Sequence, residues 1–395
     1  MRTSIYMFFV SLLIFINCSD NNSKYRELNI KKIEYTNQAS VRFDDYFEIM
    51  DTIIIPISRK NNLNIMYISK IIEVEKNKLL VLDMSNAALF LLDTLGIISK
   101  QIAQRGNGPG EFYSITDFCI DDKSNIYVLD RKGKVGQFLS NGDFVKFFEL
   151  SYLHRIPDAI KYLDNGNFLI TSFLNLVEGS TKNSYKFVDY FGIKYLHIYN
   201  NEFKKIKSFF EPAPEFEETK GQLVFKCKGA FVVNEIYSDE ILAFSQDGLY
   251  RLKTYNKTGE LLKIFEFDGS NFENFDFPAI KGLPFSTKSR KIGLEKIGKI
   301  IAGHSTIRGI NRIGDYFLLT KYGPYDNYYP EYKTGVEESL AYDIFNYSNN
   351  IVTPIVSDIY GKYRIVGTGG KGIIYFTPFD PDEENIVLFK AKLIL

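Results

Sequence analysis

Tryptophan is absent from the 395 residues, and histidine and cysteine occur only three times each. So few imidazoles and thiols leave no dense metal-ligand motif and no disulfide framework. Neither sign of charge is in excess, because 48 Lys+Arg stand against 48 Asp+Glu. That balance argues against a nucleic-acid binder, which would carry a basic surplus. Beyond residue 16 no stretch reaches about 18 uninterrupted apolar residues, the length a membrane-spanning helix needs. The G-x-S-x-G elbow, the phosphate-binding P-loop and the dinucleotide-binding glycine fingerprint are all missing.

Apolar residues are abundant at 45%, and 34 Phe and 27 Tyr supply the aromatic content. A chain this rich in apolar groups can bury a core, which excludes intrinsic disorder. Its length suits two or three average domains, unless a repeat builds one large one.

Residues 1–17 stand apart from the fold. Arg2 gives a positive start, and Ile5 to Ile16 is an apolar stretch of signal-peptide length, too short to span a bilayer comfortably. Cys18 follows at once, then the polar Ser19-Asp20-Asn21-Asn22-Ser23. A cysteine in that place resembles a bacterial lipoprotein site, although Asn17 replaces the small residue usual before it. Lipidation there would anchor the chain stably to a membrane. The alternative is ordinary secretion with Cys18 as a spare thiol. Residues 18–45 read as the lipidated cysteine and a polar tether, and residues 46–395 as the folded part. Cys119 and Cys227 lie in apolar strand patterns and are expected as buried free thiols.

From residue 67 onward short alternating apolar runs recur between Asp/Asn/Gly turns, which is the strand and hairpin signal. KLLVLDM (78–84) with its sequel matches NIYVLDR (125–131) with its own, placing Asp83 and Asp130 at a spacing of 47 residues. Such a period, with four strands per unit, points to propeller blades. The pattern extends to six units: about 67–104, 115–150, 158–210, 228–267, 305–358 and 362–395. The last unit has three strands, and DTIIIPIS (51–58) is the expected fourth, closing the ring. The fold class is all-β, and GLEKIGKIIAG (293–303) is the best candidate for one short helix. Turns within hairpins on one side are short: DDKS (121–124), SNG (140–142), DNG (164–166) and NKTG (256–259). The long segments 105–114, 174–191, 211–227, 268–304 and 323–337 all fall on the other side, where loops on a rigid scaffold carry binding.

Arg105-Gly106-Asn107-Gly108-Pro109-Gly110-Glu111-Phe112 and the following ITDFCIDDKSNIYVLD (115–130) resemble the six-bladed β-propeller lipoproteins of Bacteroidetes, relatives of NHL-repeat propellers. The likeness is close over 67–150 and architectural beyond. It implies a six-bladed ring at the cell envelope, with the outer membrane as expected address, and brings no catalytic residues. The glycines and Pro109 suit a turn; the alternative is that their amides face a ligand.

Among the histidines, His197 sits in a strand pattern and is expected to be half-exposed and structural. His154 and His304 each precede the first strand of a unit, so both can approach a channel mouth and hold a zinc-type ion. Calcium is the other metal of NHL-like propellers, but Asp380-Pro381-Asp382-Glu383-Glu384-Asn385 lacks the glycine and spacing of an EF-type loop. No cofactor is expected. Tyr322, Tyr325, Tyr328 and Tyr329 crowd one insertion, where tyrosine suits sugar or peptide contacts or simply packs the loop down. Arg105, Glu111, Arg131, His154, Arg155, Arg308, Asn311 and Arg312 complete the ligand-binding candidates, the cationic ones forming a bowl for a carboxylate- or sulfate-bearing ligand. The expected function is a monomeric, lipid-anchored module that binds a glycan, a peptide or an envelope protein through its insertion-rich face. The alternative is a metal-assisted hydrolase or lyase at the channel mouth.

Overall fold

The computed structural model describes residues 30–35, 41–57, 65–75, 77–151, 156–164, 166–173, 194–210, 232–245, 250–267, 305–322, 340–356, 363–378 and 384–394. It begins with β1 (Ile30–Tyr35), β2 (Val41–Arg42), a single helical turn (Phe43–Tyr46) and β3 (Phe47–Pro56). The first antiparallel unit is β4 (Lys70–Glu75), β5 (Lys78–Asp83), β6 (Ala88–Asp93) and β7 (Ile98–Arg105), with the short β8 (Glu111–Phe112) after it. The second is β9 (Ile115–Ile120), β10 (Ile126–Asp130), β11 (Lys134–Phe138) and β12 (Phe144–Glu149). The third is β13 (Ile156–Asp164), β14 (Asn167–Phe173), β15 (Leu196–Tyr199) and β16 (Lys205–Phe209). The fourth is β17 (Val232–Tyr237), β18 (Glu240–Ser245), β19 (Arg251–Asn256) and β20 (Leu261–Phe267). The fifth is β21 (Thr306–Ile313), β22 (Tyr316–Tyr322), β23 (Leu340–Asn346) and β24 (Ile351–Val356). The last is β25 (Tyr363–Gly369), β26 (Ile373–Pro378) and β27 (Asn385–Leu393), beside which β3 runs antiparallel from Asn385↔Pro56 to Leu393↔Phe47.

The turns follow from side chains that replace backbone partners. Asp93 Oδ1 accepts the amides of Leu95 and Ile97 at 3.0 and 2.9 Å. Asp121 does the same for Lys123 and Asn125, Asn200 for Glu202 and Lys204, and Asn256 for Thr258 and Glu260. One short acid or amide therefore satisfies amides two and four residues on, which reverses the chain in a few residues.

The core lies between neighbouring sheets. Leu80, Leu82, Leu89, Phe112, Phe118, Val128 and Phe138 join the first and second units, and Tyr127 packs at a tilt against Phe168 and Phe203 between the second and third. Each fully buried Leu or Phe contributes roughly 1.5–3 kcal/mol. First strands of successive units also meet. Lys70 on β4 pairs with Asp117 on β9 at 2.7 Å, and Asp117 Oδ2 accepts the Ile160 amide of β13 at 2.9 Å. Lys161 on β13 pairs with Glu235 on β17 at 3.0 Å. β17 packs on β21, β21 on β25, and β25 lies parallel to β4 through Gly367↔Ile71.

Within the stretch 18–45, β1 inserts between β20 and β24, parallel to both, through Ile30↔Ile264 and Glu34↔Ile351. Ile33, 1% exposed, fills the core shared by the fourth and fifth units. Six residues carry no visible period, so their partners more than 200 positions away are not readable locally. His197 is buried, not half-exposed. It lies on β15 between two strands whose serines serve both ring nitrogens: Ser172 Oγ meets Nε2 and Ser208 Oγ meets Nδ1, each at 2.8 Å. Cys119 is a buried free thiol, pushed up by burial and so unreactive. Cys18, Cys227, residues 293–303 and 380–383 lie outside the described residues.

Candidate functional site

Three pieces of chain meet at the long-link edge of the first two sheets: the end of β7, the link 106–114, and the turn after β10. The link is shaped by its own glutamate. Gly106 has φ +157°, and a Cβ there would lie 2.1 Å from Glu111 Oε2, so the carboxylate occupies the space a side chain would fill. Glu111 accepts the Gly108 amide at 2.7 Å and Gln104 Nε2 at 2.8 Å. Those bonds, the Gly108 amide foremost, hold its carboxyl below the ordinary glutamate range. Phe112 anchors the link: it is fully buried, 5.5 Å between centroids from Phe147, and a Cβ on Gly136 would meet its ring at 2.5 Å. Glycine at 136 is what lets that ring in.

Asp130 sets the far side. It is buried at the end of β10, and its Oδ2 accepts the amides of Tyr113 and Ser114 at 2.7 and 3.0 Å, while Oδ1 accepts the Lys132 amide at 2.6 Å. Asp83 does the same in the first unit, taking Met66 and Tyr67 amides on Oδ2 and the Asn86 amide on Oδ1. Both acids reach back 17 and 16 residues. The sequence repeat is therefore a repeated clamp, tying the link before a unit's first strand to the end of its second.

Beside the Asp130 clamp opens a cavity of about 380 Å³ lined by Arg105, Asn107, Tyr113, Ser114 and Arg131, with Gly106 and Phe112. Arg105 Nη2 donates to the Ser85 carbonyl at 3.3 Å, and the Arg131 amide donates to the Ser114 carbonyl at 2.8 Å. Tyr113 is exposed, with Lys132 Nζ 3.8 Å from its ring centre. Asp158 on β13 has its carboxyl pushed up to about 6 by burial and by the charge of Asp117, against the pull of Arg131. The arrangement can hold an anion and a flat group together.

Of the residues singled out from sequence, Arg105 and Arg131 come together here. Glu111 stands in the same link, its carboxylate turned onto the link's own backbone. Asn311 and Arg312 lie on β21, where Arg312 Nε donates to the Gly314 carbonyl at 2.9 Å and its guanidinium covers the Tyr237 ring. That places Arg312 at a short turn, on the other edge of its sheet from the long links, so it does not join the two arginines. Arg308 lies in β21 and Tyr322 ends β22. His154, Arg155, His304, Tyr325, Tyr328 and Tyr329 fall outside the described residues. Among the described residues no three His, Cys, Asp or Glu side chains are arranged to hold a metal ion. Sequence reasoning misses Asn107, Tyr113, Ser114 and Asp158; for the first three, the available signal is their place in or beside the glycine-rich link.

Residues 19–277 match the family DUF5128, described as "6-bladed beta-propeller". A solved protein from Bacteroides fragilis, described as exported, aligns with a TM-score of 0.62 at 15% identity, covering 92% of this chain and 100% of that one. A member of the DUF4221 family from Bacteroides vulgatus aligns with a TM-score of 0.59 at 11% identity, covering 88% and 99%. At such identities the likeness is one of fold. No curated protein matches the chain in sequence.

Proposed function

Because the chain belongs to the DUF5128 family of 6-bladed β-propellers, we propose that its six sheets close into one ring and that the ring is a binding module. In this reading β3 completes the last blade, as its pairing with β27 supports. The module is exported and held to the cell envelope through a lipid on Cys18. The lipoprotein-like start supports this, as does the exported description of the Bacteroides fragilis relative. It takes a glycan, a peptide or an envelope protein at the edge where the long links gather.

The observation that carries the reading is the cavity itself. The long link that is described, 105–114, opens a lined concavity of about 380 Å³ on that edge, while side-chain-capped turns occupy the other. Rigid strands that present variable links on one side are a common way for a propeller to bind. Glycan and peptide arrays probed with residues 19–395 test it. Binding is expected to fall when Tyr325, Tyr328 and Tyr329 are together changed to Ala, and to persist in Arg312→Ala. The opposite pattern, or no binding to any array, refutes the module. Palmitate labelling tests the anchor; equal labelling of wild type and Cys18→Ala would refute it.

A further inference from the structure

The cavity between the first two sheets carries more chemical information than its position alone. Arg105 ends β7 and Arg131 follows β10, so two different sheets each contribute one arginine to the lining of the same opening. Both residues are exposed. A guanidinium presents a planar fork that matches a carboxylate or sulfate with two parallel hydrogen bonds. Glu111 is engaged by the Gly108 amide and Gln104, and Asp130 by the amides of Tyr113, Ser114 and Lys132. The charge of Arg131 also reaches Asp158, half-buried on β13.

The remaining lining is amphipathic. Tyr113 is 58% exposed and offers a ring, with Lys132 Nζ lying 3.8 Å from its centre. Asn107 and Ser114 add an amide and a hydroxyl. The frame is set in advance, because the Asp130 clamp fixes the Tyr113 and Ser114 backbone and the Ser85 carbonyl ties Arg105. A site held in shape before binding loses less freedom on binding. A volume of about 380 Å³ sits at the lower end of the roughly 300–1,000 Å³ range of ligand sites.

We propose that this cavity is an oxyanion site that takes a carboxylate or sulfate carried on a small ring, with Arg105 and Arg131 holding the acid and Tyr113 the ring. The proposal rests on reading the long-link edge as the binding face and names what binds there. Two sources share this chemistry, an acidic sugar and an aromatic acid.

Titration of residues 19–395 with glucuronate, glucose 6-sulfate and benzoate, against glucose and benzamide as neutral counterparts, tests the proposal by calorimetry or protein NMR. The acidic probes are expected to bind and the neutral ones not. Arg105→Ala and Arg131→Ala should each weaken binding by about tenfold or more, as loss of a charged hydrogen bond does. Arg131→Lys should recover part of the loss, and Arg131→Gln replaces Arg131→Ala if the latter does not fold by circular dichroism. Preference for the sugar acids or for benzoate then assigns the ring. The proposal is overturned if neutral and acidic rings bind alike, if both alanine variants bind as wild type, or if no acidic probe binds. Failure here with array binding still lost in the tyrosine triple variant removes the cavity and leaves the module. Acid binding here with silent arrays does the reverse.

Discussion

Asp158 shows how one side chain can be tuned against the fold. Burial and the neighbouring Asp117 raise its carboxyl from an ordinary 3.8 to about 6. The folded state therefore binds a proton more readily than the unfolded chain between those values, and stability falls as pH rises from about 4 through 6. A rise of that size corresponds to a cost of at most ~3 kcal/mol at neutral pH. Asp158→Asn is accordingly expected to raise the melting temperature at pH 7.5 and to change it little at pH 4. A stabilisation that is equal at both values would refute this account. Asp130 and Asp83 illustrate the opposite case, acids whose burial is compensated by several amide donors each.

At the scale of an element, the link 105–114 behaves as a small folded unit. Its shape depends on Glu111, whose lowered carboxyl pKa stabilises the folded link above the unfolded glutamate value and loses that effect as pH falls through the folded one. Glu111→Ala should therefore speed amide hydrogen exchange at Gly108 while leaving the core amide of Val128 protected. Unchanged exchange at Gly108 would count against the brace. The capped hairpin turns are elements of the other kind, decided by an Asp or Asn and the four residues after it.

Across the whole molecule, neighbouring units are tied by polar contacts as well as apolar packing. Lys70 meets Asp117, Lys161 meets Glu235, Lys257 meets Asp164, the Tyr250 hydroxyl donates to Asp343, and Lys390 meets Glu73. The N-terminal segment adds a clasp, with β1 between the fourth and fifth units, β2 on β24 and β3 on β27. Ile33→Ala is expected to cost about 2–5 kcal/mol, as loss of a buried isoleucine does. The exchange of β20 and β24 amides should rise more than that of β10. A uniform or negligible effect would show that β1 is not a clasp.

The all-β class, the repeat unit, the strand positions and the short turns are legible in the sequence, because each depends on residues within about ten positions: alternation sets a strand's faces, and an Asx side chain sets its turn. Arg105 and Arg131 can be named from it, but not their shared cavity. Their meeting depends on a link braced by Glu111 and clamped by Asp130, while Arg312, of the same chemistry, turns to a carbonyl on another edge. The role of β1 is hidden for the same reason, since a parallel pairing has no local signature when its partners lie hundreds of residues away. Local periodicity determined what the pieces are; long-range hydrogen bonds and burial decided which of them face one another.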